Sequence, residues 1–416
     1  MFPFLQIIPL ILVAFLQAFQ DPQFLPLYLV VVAVIAVQYN RMEKIRESFF
    51  GVRTRRAGAD ILAAAGFGLI GGLAGSLVLI FVGLTISGEL YYLWPVAILL
   101  MLVDMRFLCF AYAGGILALS NLLLGFPRIN VPQIIALVAI LHMVESFLIL
   151  AGGHLGAVPA YVKTPENRVI GGFTLQKFWP IPIIALAVGM AGTVEGGIDM
   201  PAWWPLIKPD VPGNPESLVY FMLPLVAGLG YGDIAIARSP VEKSRLSSFY
   251  LGVYSVLLLI LAVLAGQSRT LALTAAVFSP LGHEAVVYIG RRLEFKGEPL
   301  YVPPDRGMKI LDVIPYSPAW RAGLRSGDVI YTVNGRRLAG RYDFYERLQD
   351  SSLPLMVDFF SRSAGTYKIG KIRPPGWGKS WGVIPVPEGE EAGYFELQTT
   401  GLLGRWLKTA WKRITG

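Results

Sequence analysis

The run GMKILDVIPYSPAWRAGLRSGDVIYTVNG, residues 307–335, decides how the C-terminal part of this chain folds. Met308 to Ile314 reads as a strand, and Pro315 to Pro318 as a turn. Ala319 to Ala322 reads as a helical turn stopped by Gly323, where a positive φ is needed. Gly327-Asp328 turns the chain into a second strand, Asp328 to Val333, and the Asn334-Gly335 pair closes the next hairpin. Further on, Tyr342 to Gln349 has the spacing of an amphipathic helix, with strands expected near 354–360 and 366–372. Residues 298–373 are therefore expected to form a small α+β domain.

Upstream of about Gly290 the sequence changes character. The 416 residues are 54% apolar and only 15% charged, with mean hydropathy +0.56. Soluble chains carry about 25% charge, so a purely soluble or a disordered protein is excluded. The net charge of +8 is uneven: residues 1–290 hold 16 basic and 15 acidic side chains, and 291–416 hold 20 and 13. A bilayer crossing needs roughly 20 apolar residues, fewer where the segment is partly interfacial. Ten candidate spans are expected at 3–19, 24–39, 59–84, 88–104, 107–125, 131–152, 179–194, 216–235, 247–266 and 270–289. The fourth and seventh are the weakest. Residues 1–290 thus read as an α-helical polytopic membrane domain of about 8–10 spans. No basic n-region or small-residue cleavage site marks a secretory signal.

Lysine and arginine in short loops set the orientation. Arg41, Lys44, Arg46, Arg53, Arg55 and Arg56 lie in one connection; Lys163, Arg168 and Lys177 lie in a second, and Arg238, Lys243 and Arg245 in a third. The facing loops are poor in such charge. With ten spans, both termini are expected in the cytoplasm. The third span carries Gly68, Gly71, Gly72, Gly75 and Ser76, small-residue steps that let another helix approach closely. Trp203, Trp204 and Pro205 read as an interfacial anchor.

Little in the chain reads as catalytic. A single cysteine, Cys109, excludes an internal disulfide framework, a Cys-based zinc site is not expected, and three histidines leave little room for a His-built one. His283-Glu284 begins like a zinc-protease motif, but the second ligand position is Val287. Gly230-Tyr231-Gly232-Asp233 matches the GxGD pattern of aspartyl intramembrane proteases, whose chemistry needs a partner carboxylate; Asp104 is the candidate. A helix-end turn is the plainer reading. His142 and Glu145 share one face of the sixth span, either as a proton relay or as a hydrogen-bonded pair fixing two helices. No Walker A, Rossmann or kinase signature is present, and the basic part lacks a nucleic-acid fold. No catalytic residue, metal or cofactor is expected, and no nucleic-acid partner.

Residues 374–416 read as a linker followed by a basic amphipathic helix. Trp406 and Trp411 lie among Leu402, Leu403, Leu407 and Ile414, while Arg405, Lys408, Lys412 and Arg413 take the other positions. Such a helix suits an anionic membrane surface; a calmodulin-like partner or packing on the α+β domain are the alternatives.

The SPA-x-x-AGL-x-x-GD-x-I-x-x-VNG pattern of 317–335 resembles a bacterial PDZ domain over about 75 residues. The resemblance implies recognition by strand addition at an open sheet edge. It places the receiving strand at Met308, Lys309, Ile310, Leu311 and Asp312, the carboxylate loop at Arg306-Gly307-Met308, and the far wall at Tyr342, Tyr345 and Leu348. A groove filled by the protein's own tail is the alternative. A polytopic region, the Pro280-to-Glu284 stretch PLGHE and then one PDZ domain together resemble the Gram-positive Min-system adaptor family (MinJ). That resemblance implies a non-enzymatic scaffold at division septa and poles, bridging a DivIVA-type coiled-coil protein to the ATPase MinD. Homo-oligomerisation is left open. A PDZ-regulated intramembrane protease or a transporter is the alternative.

Overall fold

The structure, a computed structural model, describes residues 2–50, 57–86, 90–164, 167–190, 197–210, 218–349, 353–376, 380–389 and 391. In the membrane part the helices are α1 (Phe4–Ala18), α2 (Phe24–Phe50), α3 (Ala57–Val82), α4 (Leu90–Val103), α5 (Phe110–Leu124), α6 (Val131–Gly152), α7 (Pro240–Ala265) and α8 (Arg269–Phe295). Among the described residues five of these, α2, α3, α6, α7 and α8, are long and apolar enough to cross a membrane. The most enclosed is α6, whose apolar residues are buried nearly all round among α3, α5, α7 and α8.

Two of the ten expected spans are not helices. The described parts of these two segments, 179–190 and 218–235, fall on the arms of a long antiparallel hairpin, β2 (Val169–Met190) and β3 (Leu218–Ala235), flanked by β1 (Val158–Lys163). Hydropathy cannot separate a buried strand from a helix, but proline can. Pro180 and Pro182, two residues apart, would break a helix twice, whereas an edge strand tolerates them because they lack only the outward donor.

An open sheet edge inside a bilayer would leave polar backbone groups unsatisfied, so the outer edge of β2 needs a cover. Most of it is covered, group by group. At its start it pairs with β1, from Lys163↔Val169 to Val158↔Thr174. The Tyr39 hydroxyl lies 3.4 Å from both the N–H and the carbonyl of Phe178. Pro180 and Pro182 have no donor, and their carbonyls face the bare Cα atoms of Gly68 and Gly72 on α3. The Ile184 N–H donates to Ser76 Oγ at 2.8 Å, and that hydroxyl donates to the Gly72 carbonyl at 2.6 Å. Beyond it, the Ile86 N–H donates to the Leu186 carbonyl at 2.7 Å. The fit follows from geometry: four helical residues rise about 6 Å and two strand residues about 6.6 Å. The small-residue stripe therefore serves two neighbours. Gly68, Gly72 and Ser76 meet the strand, while Gly71 and Gly75 admit Leu148 and Val144 of α6. The indole of Trp204 donates to the Ile80 carbonyl at 2.9 Å, pinning the tryptophan loop on the end of α3.

Beyond α8 the chain forms the expected α+β domain: β4 (Met308–Val313), α9 (Pro318–Arg321), β5 (Val329–Val333), β6 (Arg336–Arg337), α10 (Arg341–Gln349), β7 (Leu355–Ser361), β8 (Thr366–Ile372) and β9 (Val383–Pro385). The sheet order is β8-β7-β5-β4-β9, with β6 on β5. Asn334 (φ 51°) and Gly335 (φ 73°) make the hairpin turn read from the sequence, and Ser317 caps α9 through the Trp320 N–H. The core gathers Met308, Ile310, Leu324, Ile330, Phe344, Leu348, Val357 and Phe359. Two boundaries shift. Helix α8 continues to Phe295, past the expected end at 290, and the expected linker contributes β9 to the sheet.

The α+β domain is fastened to the hairpin. Where β3 ends, at Ala235↔Phe173, Tyr301 takes over its side of β2, and the Gly171 N–H donates to the Tyr301 carbonyl at 3.0 Å. The wholly buried Glu294, near the end of α8, accepts the N–H groups of Ile236 and Ala237 at 2.8 and 2.9 Å and pairs with Arg238 at 3.0 Å.

Candidate functional site

Among the described residues, the open sheet edge of the α+β domain lies one strand away from where the sequence placed it. Met308–Val313 is an interior strand: β5 pairs with it on one side (Met308↔Ile330, Lys309↔Val329) and β9 on the other (Ile310↔Pro385, Asp312↔Ile384, Val313↔Val383). Met308, Lys309, Ile310, Leu311 and Asp312 therefore cannot receive a peptide. The turn at Arg306-Gly307 backs onto β5, because a Cβ at Gly307 would run into the Ile330 carbonyl. Lys309 does not line a groove either. Its ammonium donates to the Leu300 carbonyl at 3.0 Å, and burial, with Arg362 nearby, lowers its pKa.

Among the described residues, the edge beyond β4 with no further strand on it belongs to β9. The Ile314 N–H bonds inward to the Gly382 carbonyl, and the Val386 N–H bonds inward to the Lys309 carbonyl. By strand alternation the backbone of Val383 and Pro385 faces outward. Val383 belongs to the same hydrophobic core as Phe344 and Leu348 of α10, and contacts of Tyr161 and Arg341 tie the end of this edge to that helix. Of the expected wall, Leu348 is buried in the core, while Tyr342 and Tyr345 are exposed on the helix. Arg341, at the start of α10, pairs with Glu388 and Glu391 just past β9. Gly382, with φ 87°, makes the turn into the strand.

One group already sits on this edge. Tyr161 of β1 donates its hydroxyl to the outward carbonyl of Pro385 at 3.1 Å and interacts with Arg341 and Tyr345 of α10. Burial pushes its phenol pKa well up, so it stays a neutral donor across the physiological range. A residue of the membrane part thus caps one end of the groove. Nothing in the sequence around Tyr161 signals this contact.

The polar residues of the membrane part resolve into separate settings. Asp233 pairs with the fully buried Lys243 at 3.2 Å and accepts from Ser247 at 2.7 Å. Asp104 caps a short 3-10 turn through the Arg106 N–H. The two carboxylates therefore belong to separate ion pairs, not to a shared-proton dyad. Glu284 is held by Arg106 at 2.8 Å and by the Tyr112 hydroxyl at 2.6 Å. His142 and His283, which sequence spacing kept apart, meet beside Cys109. Trp406, Trp411, Arg405, Lys408, Lys412 and Arg413 lie outside the described residues.

A family profile described as a PDZ domain matches residues 309–355, the stretch from β4 to the first residue of β7. The chain is also 26% identical over 219 residues to the cell division topological determinant MinJ of Bacillus subtilis (strain 168). That match covers 52% of this chain and 52% of the relative, so it spans about half the length of each. The chain is thus similar to MinJ and carries a PDZ domain.

Proposed function

We propose that this chain is a non-enzymatic membrane adaptor of the cell-division apparatus, and that its PDZ domain captures a partner by strand addition along β9. The observation that carries this reading is the outward edge of Val383 beside α10, where an extended peptide finds backbone groups on one side and a helix wall on the other. The relative is named a cell division topological determinant, which supports the setting. A DivIVA-type protein and MinD, the partners implied by the family resemblance, are the candidate ligands. We take the shorter apolar helices α1, α4 and α5 to cross together with the five long ones, so that the number of crossings stays even and both termini lie on the side of the basic loops, the cytoplasm. The basic tail helix would add a second membrane contact and raise the local concentration of the groove at the surface.

The test is imaging of a tagged full-length copy at native level in dividing cells of the source organism. Enrichment at septa and poles is expected. It should be lost in Val383→Pro, which deletes one outward N–H, and in Tyr345→Ala, with membrane insertion retained. Lys309→Glu, away from the groove, should keep it. A uniform membrane signal in the parent, or full septal enrichment in Val383→Pro, overturns the proposal.

A further inference from the structure

We propose that Cys109, His142 and His283 form a binding site for a transition-metal ion of the zinc class, inside the membrane part. The three residues come from different elements: Cys109 is the N-cap of α5, His142 lies in the middle of α6, and His283 lies in α8. Their ligand atoms all lie within 4.8 Å of one another. Cys109 Sγ is 3.1 Å from His142 Nε2 and 3.6 Å from His283 Nε2. A tetrahedral zinc with a sulfur bond of about 2.3 Å and nitrogen bonds of about 2.0–2.1 Å places sulfur and nitrogen about 3.5 Å apart, so the observed spacing brackets that of a filled site.

Proton counting points the same way. His142 Nδ1 lies 2.7 Å from the Val138 carbonyl, which can only accept, so the ring proton sits on Nδ1 and Nε2 carries a lone pair. His283 Nδ1 lies 3.3 Å from the Tyr112 hydroxyl. That hydroxyl donates to Glu284, so its oxygen accepts the Nδ1 proton and His283 Nε2 carries a lone pair as well. Two nitrogen lone pairs and a sulfur therefore converge with a single thiol proton among them. One of the three groups is always left facing another acceptor. A metal cation satisfies all three at once, displacing the thiol proton to solvent and taking the sulfur as thiolate.

The surroundings are those of a metal shell. The Val138 carbonyl and the Tyr112–Glu284–Arg106 chain hold the two imidazoles from behind, the arrangement that orients histidine ligands. The Tyr254 ring stands edge-on to both histidines, at 5.6 and 5.9 Å, and walls the site. The Ala111 N–H points at the sulfur from 3.4 Å. Divalent metal and one thiolate leave one positive charge. Glu145, one helical turn after His142, is close enough to act electrostatically on Cys109, and when ionised it would balance that charge. Three protein ligands leave the fourth position for a water or small ligand.

The test uses the full-length chain in detergent. After growth with zinc, elemental analysis should find about one zinc per chain, reduced to background in Cys109→Ser and His283→Ala and unchanged in His154→Ala, the histidine outside the cluster. Cobalt exchange should give a thiolate-to-metal charge-transfer band that Cys109→Ser removes. Because Cys109 is the single cysteine, maleimide labelling of the unmutated chain reads the site directly. Zinc should slow labelling at least ten-fold, and a chelator should restore it. Zinc-independent labelling in the parent, or parental zinc content in a monodisperse Cys109→Ser protein, overturns the proposal.

Discussion

Gly72→Ala gives the sharpest test of how the membrane hairpin is held. In an isolated helix this change is favourable by about 1 kcal/mol, because alanine loses less backbone entropy than glycine. Here the new Cβ would overlap the carbonyl oxygen of Pro182 and lie 3.0 Å from its carbonyl carbon. The obstacle is backbone on both sides, so no rotamer change relieves it. Either α3 or β2 must move, at an overpacking cost of about 1–3 kcal/mol. That movement draws Ser76 away from the Ile184 N–H, and a buried donor left unsatisfied adds about 1–3 kcal/mol. Set against the helix-propensity gain of about 1 kcal/mol, the net loss is about 1–5 kcal/mol. Gly66 on the same helix has nothing within 4 Å of a built Cβ, so Gly66→Ala is the internal control and should be neutral or stabilising. The assay is the fraction of monodisperse protein after heating, read by fluorescence-detected size exclusion. A Gly72→Ala midpoint equal to or above that of Gly66→Ala refutes the sealed-edge argument.

The remaining expectations concern buried charge and the groove. Lys243→Met leaves Asp233 without its cation and should destabilise by about 3–5 kcal/mol, with most of that recovered in Lys243→Met/Asp233→Asn; equal thermal midpoints for parent and single variant refute it. Glu294→Ala removes the acceptor for two N–H groups and the partner of Arg238, so limited proteolysis should cut the 296–305 connection faster; an unchanged rate counts against Glu294 as the clamp that holds the end of α8 on the β3–α7 connection. Tyr161→Phe frees the Pro385 carbonyl and should raise the septal-to-lateral fluorescence ratio, consistent with about five-fold tighter capture for about 1 kcal/mol. A lower ratio would mean that Tyr161 supports the groove instead of capping it.

What was legible in the sequence was local turn chemistry. Gly323, Gly327, Asn334 and Gly335 each take the positive φ that their turns demand, so the PDZ framework could be read without any tertiary information. The hairpin was illegible to hydropathy because its strands carry apolar residues on both faces, including the exposed Phe221 and Leu223; its signal lay in the Pro-x-Pro spacing of Pro180 and Pro182. The Gly68, Gly72 and Ser76 stripe was correctly seen as a close-approach face, but four-residue spacing fits a strand as well as a helix. Strand β9 was missed because three residues after a Pro/Gly-rich segment carry no periodicity, and that omission displaced the binding edge by one strand. The Cys109, His142 and His283 cluster has no motif at all, since its members come from three elements and meet only through packing.

The sealing of β2 also has a consequence for biogenesis. A translocon releases apolar helices sideways into lipid one at a time, but a strand with a bare edge has no stable resting place there. Synthesis runs from the N-terminus, so the Gly68–Ser76 face of α3 is in the membrane about a hundred residues before Pro180 emerges. The chain order thus supplies the docking wall before the segment that needs it. Moving α3 downstream of the hairpin by circular permutation would leave the same contacts available in the finished fold and remove the route to them.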